Sequence, residues 1–365
     1  MPEILFSALV IGTGLALLVI GGELLVRGAS ALAAMLRISP LVIGLTVVAF
    51  GTSAPELAVS VQAVYADSGE LAVGNLVGSN IANVLLILGL SALVAPLGVS
   101  SQLIRFDVPL VIGASLLLLL LGLDGEIGAW EGVLLSSLLV AYIHWSLRKG
   151  RAESAQSEAF FRNEAISSAS LRQSVAVQVF LVLSGLVLLG LGGHWLVQGA
   201  VEIARALGVQ ELVIGLTIIA VGTSLPELVT SVLAVARGER DLAVGNIVGS
   251  NLFNILGVLG ITGILAPEGI PVPPAALVLD IPIMLATAVA CLPIFFTGHL
   301  IARWEGGLFF FYYLAYMTYI VMDSTGHAAR QDFQLVMATF VIPLTLVTLL
   351  VCSFRSWRER AAVVR

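Results

Sequence analysis

The sequence predicts an all-α protein that crosses a membrane many times, with ten core helices in two inverted five-helix repeats and a probable eleventh at the C-terminal end. Three observations lead to this fold class: an apolar composition, a series of long apolar segments, and an internal repeat. Of the 365 residues, 59% are hydrophobic and 11% are charged. Soluble domains have about 45–50% apolar and about 25% charged residues. The composition therefore excludes a soluble globular domain, and the net charge of −6, lying mostly in short loops, indicates no particular partner.

Eleven segments have the length and composition of membrane-spanning helices, which need about 20 mostly apolar residues. The first lacks a basic start and a small-residue cleavage site, so we interpret it as a span rather than a cleaved signal. The longest polar segment, residues 148–173, separates the fifth span from the sixth and is predicted to be a cytoplasmic linker. The predicted spans are residues 4–26, 41–65, 71–95, 104–122, 128–147, 174–204, 212–236, 242–266, 275–296, 303–322 and 333–353.

The distribution of basic residues predicts the orientation, because Lys and Arg accumulate in cytoplasmic loops. With the N-terminus outside, 15 of the 17 basic residues lie in cytoplasmic segments, and only Arg205 and Arg330 lie outside. The opposite orientation reverses this count. We therefore expect a multi-pass protein of the cell inner (plasma) membrane with its N-terminus outside and its C-terminus in the cytoplasm.

The chain also repeats itself at a constant offset of 171 residues. Residues 41–65 and 212–236 share 17 of 25 positions, and residues 71–90 and 242–261 share 13 of 20. Each repeat contains five predicted spans, so the second copy enters the membrane from the opposite side. Inverted repeats are typical of secondary transporters, whose site lies near the bilayer midplane where the repeats meet. The predicted division is residues 1–147 and 174–322 for the repeats, 148–173 for the linker, and 323–365 for the extra helix and basic tail.

The second span carries polar residues that lipid tolerates poorly, in the stretch GTSAPEL. Acids inside a membrane are costly and usually functional. Pro55 lacks an N–H, so we predict a helix break between Gly51 and Pro55 that frees backbone carbonyls, including that of Ala49. Thr52 and Glu56 are four residues apart, which lets their oxygens converge on one side of the helix.

The same layout occurs in the second repeat, and the following span of each repeat adds a serine and an asparagine four residues apart. Such an all-oxygen set without His or Cys suits hard cations such as Ca²⁺ and Na⁺ rather than zinc or copper. The sequence therefore predicts a site for transported ions and no resident cofactor. The predicted ligands are Ala49, Thr52, Ser53, Glu56, Ser79, Asn83, Ala220, Thr223, Ser224, Glu227, Ser250 and Asn254.

Other polar or small residues in the spans admit plainer interpretations. Gly44, Gly74, Gly78 and their counterparts are expected to pack helices closely. Four asparagines can either touch ions or form hydrogen bonds between helices, and the sequence leaves both possibilities open: Asn75, Asn80, Asn246 and Asn251. Asp107 and Asp280, which precede prolines, are expected to be structural residues at helix ends, and Glu131 and Glu305 to be interfacial.

With GTSxPEL and GNxxGSNxxN each present twice, the sequence resembles the calcium/cation antiporter superfamily, and most closely its prokaryotic sodium/calcium exchanger branch. The resemblance covers about residues 1–322 and implies ten core spans around four adjacent cation sites, one favouring Ca²⁺ and the others Na⁺. It implies that Glu56 and Glu227 are shared central ligands and that the first and sixth spans slide to switch access. Gly-Thr-Ser before each glutamate, in place of the Asn-Ala-Thr of proton-coupled members, favours sodium coupling.

Two features depart from that branch. Many prokaryotic and potassium-dependent relatives have Asp where this chain has Asn254, and the amide removes a titratable group, which suggests independence from potassium. The apolar segment 332–354 adds an eleventh span that a ten-helix core does not need.

Three rival functions are weighed against an antiporter of Na⁺ and Ca²⁺. A divalent cation/proton antiporter would use the same glutamates. A cation channel is disfavoured by the inverted repeat, and an intramembrane hydrolase using Ser53 or Ser224 would lack a nearby His or Lys base. We therefore expect no enzymatic activity, with Ca²⁺, Na⁺ and the lipid bilayer as partners, no nucleic acid, and a monomer sufficient for transport.

Overall fold

The computed structural model of the protein describes residues 2–66, 68–156, 174–208, 214, 218, 220–296, 298–348 and 350, and these are almost entirely helical. Eight helices in the described part are long and apolar enough to cross a membrane. The predicted all-helical membrane fold is confirmed in this respect. The eight are Phe6–Leu36, Pro40–Tyr65, Gly69–Val94, Leu103–Asp124, Val175–Ala206, Arg240–Leu265, Ala276–Phe296 and Arg330–Thr348.

The helices follow one another in two similar series. The first is α1 (Pro2–Leu36), α2 (Pro40–Ile43), α3 (Ala49–Thr52), α4 (Ala54–Tyr65), α5 (Gly69–Ala82), α6 (Gly89–Val94), α7 (Val108–Leu121) and α8 (Ala129–Gln156). The second is α9 (Val175–Ala206), α10 (Ala220–Gly222), α11 (Leu225–Ala236), α12 (Arg240–Leu252), α13 (Leu259–Leu265), α14 (Ile281–Phe296) and α15 (Arg303–Ser324), and α16 (Arg330–Val336) follows it. Single π-helical turns join several of them, at Gly44–Val48, Asn83–Leu88, Leu103–Asp107, Phe253–Val258, Ala276–Asp280 and Met337–Val341, and Gly122–Asp124 is a 3₁₀ turn.

Three predicted spans do not appear among the eight apolar helices. Spans 128–147 and 303–322 lie on α8 and α15, which are long enough but less apolar. Part of span 212–236 lies outside the described residues, and its described part contains the short helices α10 and α11. The predicted eleventh span corresponds to the helix Arg330–Thr348, none of whose apolar stretch is buried, and its residues 351–353 lie outside the described part.

The predicted break in the second span is present. The α-helix ends at Thr52, Ser53 has φ −79° and ψ 3°, and α4 begins at Ala54 with Pro55 in its first turn. The second repeat has the same break, because Ser224 has φ −86° and ψ 7° and α11 begins at Leu225. Each glutamate therefore lies in the first turn of a new helix, where the helix dipole favours a negative charge.

The core lies around the third and eighth predicted spans. In the most apolar stretches of Gly69–Val94 and Arg240–Leu265, 78% and 89% of the residues are buried. The corresponding shares for the first span and for Val175–Ala206 are 33% and 28%. The helices α1 and α9 thus lie at the periphery of a bundle centred on the two GNxxGSNxxN segments.

Helices α1 and α9 pack against each other in antiparallel fashion through glycines. A Cβ at Gly14 would lie 2.8 Å from the Gly192 carbonyl oxygen, and a Cβ at Gly21 would lie 2.8 Å from that of Gly185. The reverse contacts, from Gly192 to Gly14 and from Gly185 to Gly21, are equally close, at 2.8 and 2.7 Å. Small residues allow backbones to approach in this way in membrane proteins. Equivalent spans of the two halves therefore run in opposite directions where they meet.

The expected glycine packing is also found around the second span. A Cβ at Gly44 would lie 2.5 Å from the Leu242 carbonyl oxygen, and one at Gly245 would lie 2.5 Å from that of Leu41. The expectation is wrong for Gly74 and Gly78, because no described atom of a neighbouring segment lies within 4 Å of a Cβ at either position.

Two short β-ribbons join the halves, and the all-α prediction missed them. Strand β1 (Leu97–Gly98) pairs antiparallel with β4 (Leu300–Ile301), and β2 (Glu126–Ile127) pairs antiparallel with β3 (Ile270–Pro271). Each ribbon links a loop of the first repeat to a loop of the second. Two-residue strands have no periodicity that a sequence pattern could reveal.

The acidic residues outside the repeated motifs are more deeply buried than the sequence suggested. Glu131 and Glu305 are each 3% exposed and therefore lie inside the protein, and their position at the membrane interface stays a prediction. Their carboxylates accept the backbone N–H groups of Gly128 (3.0 Å) and Ala302 (2.8 Å) at the starts of α8 and α15. These glutamates therefore cap helices from within the protein.

Asp107 and Asp280 are structural, as expected, but they do not act as helix caps. Tyr142 Oη donates a hydrogen bond of 3.0 Å to Asp107, and Tyr316 Oη donates one of 3.0 Å to Asp280. Each pair ties the fourth span of a repeat to its fifth.

We expect Gly21→Ala to destabilise the protein by about 1–3 kcal/mol, because the new methyl group would overlap a carbonyl of α9. Gly12→Ala in the same helix is the matched control, since no described atom lies within 4 Å of its added Cβ. Thermal unfolding of both variants in detergent tests this. Equal melting temperatures for the two variants would contradict close packing of α1 on α9.

Candidate functional site

The candidate site forms where the two broken helices meet the two GNxxGSNxxN segments. Glu56 in the first turn of α4 and Glu227 in the first turn of α11 are each 1% exposed. The two carboxylates are close enough to interact through their charges. The structure thus brings together the two acids that the repeat places 171 positions apart.

The surroundings of each glutamate come from the other repeat. Ser224 Oγ lies 3.4 Å from Glu56 Oε1 and 3.2 Å from Ser79 Oγ. The Glu227 carboxylate faces the hydroxyl groups of Thr52 and Ser53. Each glutamate therefore lies beside hydroxyl groups that come just before the other glutamate in the sequence.

Several buried oxygens of the site have no hydrogen-bond partner among the described residues. They are Glu56 Oε2, Glu227 Oε1 and Oε2, Asn83 Oδ1, Asn254 Oδ1 and Ser53 Oγ. Buried polar groups are nearly always hydrogen-bonded, and an unpaired buried carboxylate is strongly unfavourable. A set of unpaired oxygens, with two carboxylates among them, fits a hard cation bound between them.

Four hydrogen bonds cross between the repeats in symmetric pairs. Their donors are predicted ligands, and their acceptors are the four asparagines whose role the sequence left open. The bonds are Thr52 Oγ1 to Asn246 Oδ1 (3.1 Å), Thr223 Oγ1 to Asn75 Oδ1 (3.3 Å), Asn83 Nδ2 to Asn251 Oδ1 (3.1 Å) and Asn254 Nδ2 to Asn80 Oδ1 (3.1 Å). In this structure the asparagines therefore join the two repeats.

The expectation of a freed carbonyl at Ala49 is wrong. The Ala49 oxygen accepts the backbone N–H of Ser53 at 3.0 Å and lies 3.4 Å from Thr52 Oγ1. The helix stays closed through Thr52, and the missing N–H of Pro55 affects the carbonyl four residues before it, which belongs to Gly51. The equivalent residue of the second repeat, Ala220, is the first residue of α10. Ser250, another predicted ligand, lies beside the first repeat, with its Oγ 3.4 Å from Thr52 Oγ1.

Two serines of the network were not recognised from the sequence. Ser60 Oγ accepts Asn75 Nδ2 at 3.4 Å, and Ser231 Oγ accepts Asn246 Nδ2 at 3.0 Å. Both are buried, at 1% and 0% exposure. They occupy equivalent positions of the repeat and are identical there, which is the signal that would have found them.

The two sides of the site differ in exposure. Thr52 and Asn246 are both fully buried, at 0% exposure. Their symmetry equivalents, Thr223 and Asn75, are partly exposed. The site is therefore closed on the side of Asn246 and more accessible on the side of Asn75.

The chemistry of the set is that of ion coordination. Within the described residues there is no cluster of three or more His, Cys, Asp and Glu side chains that could hold a metal ion, so the arrangement does not match a zinc or di-iron centre. Two carboxylates supply two negative charges, which can balance one Ca²⁺, and neutral oxygens surround them.

Comparison with known proteins gives consistent matches. The family model described as sodium/calcium exchanger protein matches residues 6–148 and 177–322. The chain is 42% identical over 292 residues to CaxA of Alkalimonas amylolytica, covering 79% of this chain and 89% of that protein. It is 32% identical over 340 residues to the sodium/calcium exchanger MaX1 of Methanosarcina acetivorans, covering 85% and 97%. A solved structure of the sodium-calcium exchanger NCX_Mj superposes with a TM-score of 0.72 at 30% identity, covering 85% of this chain and 96% of the other.

We expect Glu227→Gln to raise the stability of the ion-free protein by about 1–3 kcal/mol, because it removes a buried charge whose oxygens have no hydrogen-bond partner among the described residues. The same variant should lose the stabilisation that Ca²⁺ gives. Thermal unfolding with a chelator and then with added Ca²⁺ measures both effects. Glu131→Gln is the matched control, since its carboxylate accepts a backbone N–H, and it should gain no stability. A gain of equal size in the control would count against a strained pair of glutamates.

Proposed function

The chain belongs to the sodium/calcium exchanger family, and from this premise we propose that it exchanges Na⁺ for Ca²⁺ by alternating access at the site of Glu56 and Glu227. The family consists of secondary transporters, so the chain is not an enzyme. The exchange of these two ions and the position of the site near the midplane are the parts that we propose.

One observation carries the proposal: the unpaired oxygens around the two glutamates. Five of them, on Glu56, Glu227, Asn83 and Asn254, are carboxylate or amide oxygens that cannot donate a hydrogen bond. Water or protein donors satisfy such atoms in most buried sites, and a cation satisfies all of them at once. The Ala49 carbonyl is left out of the proposed set, because it already accepts the backbone N–H of Ser53. The proposed ligands are the carbonyl of Ala220, the hydroxyls of Thr52, Ser53, Ser79, Thr223, Ser224 and Ser250, the amides of Asn83 and Asn254, and the two carboxylates.

Competition for the same two carboxylates explains the coupling of the two ions. Ca²⁺ requires both charges, and Na⁺ ions that occupy the same oxygens exclude it. Alternate loading from the two sides of the membrane then moves the ions in opposite directions. The Na⁺ gradient would drive Ca²⁺ out of the cell.

The packing of α1 and α9 supports a movement that exposes the site to each side in turn. Their glycine contacts hold these peripheral helices together, so they would slide across the core as one unit. With the N-terminus outside, the more accessible side, at Asn75 and Thr223, faces the exterior. We infer that this structure corresponds to an outward-facing state in the inner membrane.

A divalent cation/proton antiporter is the alternative. Of the proposed ligands, the glutamates are the acidic ones and could carry protons instead of sharing Na⁺. The Gly-Thr-Ser motifs favour Na⁺, and the transport experiment separates the two.

Radiolabelled Ca²⁺ should enter proteoliposomes that are loaded with Na⁺ and diluted into Na⁺-free medium. Glu227→Gln and Glu56→Gln should each lower the initial rate by about 100-fold or more, because each removes one of the two carboxylate charges that would bind the ion. The control variant is Glu305→Gln, whose side chain caps α15 away from the site, and it should transport normally.

Equal Na⁺ on both sides should abolish the uptake. Uptake that follows an imposed pH gradient and ignores Na⁺ would instead establish the proton antiporter. Normal uptake by both glutamine variants would reject this site.

We expect Ca²⁺ uptake to be independent of potassium, because Asn254 supplies no carboxylate for a further cation. Initial rates with K⁺ and with choline in its place, at a constant Na⁺ gradient, should be equal. A requirement for K⁺ would show that another group provides the missing charge.

A further inference from the structure

Four of the hydrogen bonds that cross between the repeats, the symmetric pairs that end on asparagines, follow one rule. In each, the donor is a proposed ligand, and the acceptor is the Oδ1 atom of an asparagine on the opposite repeat. Thr52 and Asn83 of the first repeat donate to Asn246 and Asn251 of the second. The equivalent residues of the second repeat, Thr223 and Asn254, donate to Asn75 and Asn80 of the first.

The rule matters because a cation binds lone pairs and is repelled by N–H and O–H hydrogens. A threonine hydroxyl has one hydrogen and two lone pairs, and an asparagine amide has a donating NH₂ and an accepting oxygen. If the donor side of such a group is held elsewhere, its lone pairs are left to face the ion. A freely rotating hydroxyl or amide would lose entropy and realign on every binding event.

The atoms left over agree with this arrangement. Asn83 Oδ1 and Asn254 Oδ1 are buried with no hydrogen-bond partner in the part of the chain that the structure describes, while the nitrogens of the same amides donate across the interface. Two of these acceptors, Asn80 and Asn246, are shown to be held in turn: Asn80 Nδ2 donates to Met284 Sδ at 3.4 Å, and Asn246 Nδ2 donates to Ser231 Oγ at 3.0 Å.

We propose that Asn75, Asn80, Asn246 and Asn251 are positioning residues that set the orientation of the ligands on the opposite repeat and do not themselves bind the ion. This inference rests on the proposed function, since it assigns roles within the same site. Each half of the site is oriented by the other half, so the ligands point correctly only where the repeats are docked. The asparagine at 254 follows from the same rule, because an ionised aspartate there could not donate to Asn80.

The Asn80–Asn254 pair gives the sharpest test. Asn80→Leu keeps the size of the side chain and removes the acceptor. We expect it to raise the KM for Ca²⁺ in Na⁺-driven uptake by about tenfold with little change in maximal rate, as for the loss of one buried hydrogen bond. Asn80→Asp keeps an acceptor oxygen and should restore a KM at or below that of the unmodified protein.

A double-mutant cycle separates positioning from direct contact. If Asn80 acts through Asn254, Asn80→Leu has no further effect on the KM in an Asn254→Ala background. Additive effects in the double variant would mean that Asn80 touches the ion and would overturn the proposal. So would a KM for Asn80→Asp as high as that of Asn80→Leu. If Asn80→Leu does not fold, the equivalent cycle with Asn251→Leu and Asn83→Ala makes the same measurement.

Binding without transport distinguishes this inference from the proposed function. The Ca²⁺ concentration that half-maximally raises the melting temperature is measured for the unmodified protein, Asn80→Leu and Asn80→Asp. If the protein binds Ca²⁺ but shows no Na⁺-driven uptake, the proposed function is wrong. A higher Ca²⁺ midpoint for Asn80→Leu, but not for Asn80→Asp, still supports the positioning role in that case. Equal midpoints for all three overturn the inference, even where uptake by the unmodified protein supports the exchanger.

Discussion

Two buried carboxylates with most of their oxygens unpaired in the described part are the constraint on which this structure depends. Glu56 and Glu227 are each 1% exposed, and three of their four oxygens have no hydrogen-bond partner among the described residues. Such a pair is costly inside a protein, so the surrounding architecture has to compensate for it. The helix breaks at Ser53 and Ser224 place each carboxylate at the positive end of a short helix. A bound cation would supply the remaining compensation and would then be part of the stable structure.

The duplication of the chain means that most features of the site occur twice. The glutamates, the helix breaks, the crossing hydrogen bonds and the capping carboxylates of Glu131 and Glu305 all come in equivalent pairs. The symmetry is incomplete, and the differences lie where access would be controlled. Glu23 of α1 forms ion pairs with Arg27 and Arg237, whereas the equivalent position in α9 is His194. The two sides of the site also differ in exposure, although the two repeats are alike in sequence.

Packing divides the molecule into a buried centre and a peripheral pair of helices. The centre holds the asparagines and serines whose hydrogen bonds cross between the repeats, and the β-ribbons tie its loops together. In contrast, α1 and α9 approach each other so closely that a methyl group on Gly21 would overlap a carbonyl. These two helices contact each other tightly and are less buried than the helices of the centre. This arrangement suits a unit that moves over a rigid centre. The ligand geometry can then stay fixed while access changes.

The sequence by itself determined the elements that local rules control. The lengths of the apolar segments predict the helices, and Pro55 and Pro226 predict the breaks in them. The repeat at a constant offset identifies Glu56 and Glu227 as a pair. Only the tertiary structure decided which atoms are free to bind. It showed that the Ala49 carbonyl is occupied, that Tyr142 holds Asp107, and that Asn80 accepts from Asn254, 174 residues away. A hydrogen bond depends on the positions of two atoms to within a fraction of an ångström. Spacing along a helix restricts such positions within one segment, but the docking of one repeat on the other sets them between segments.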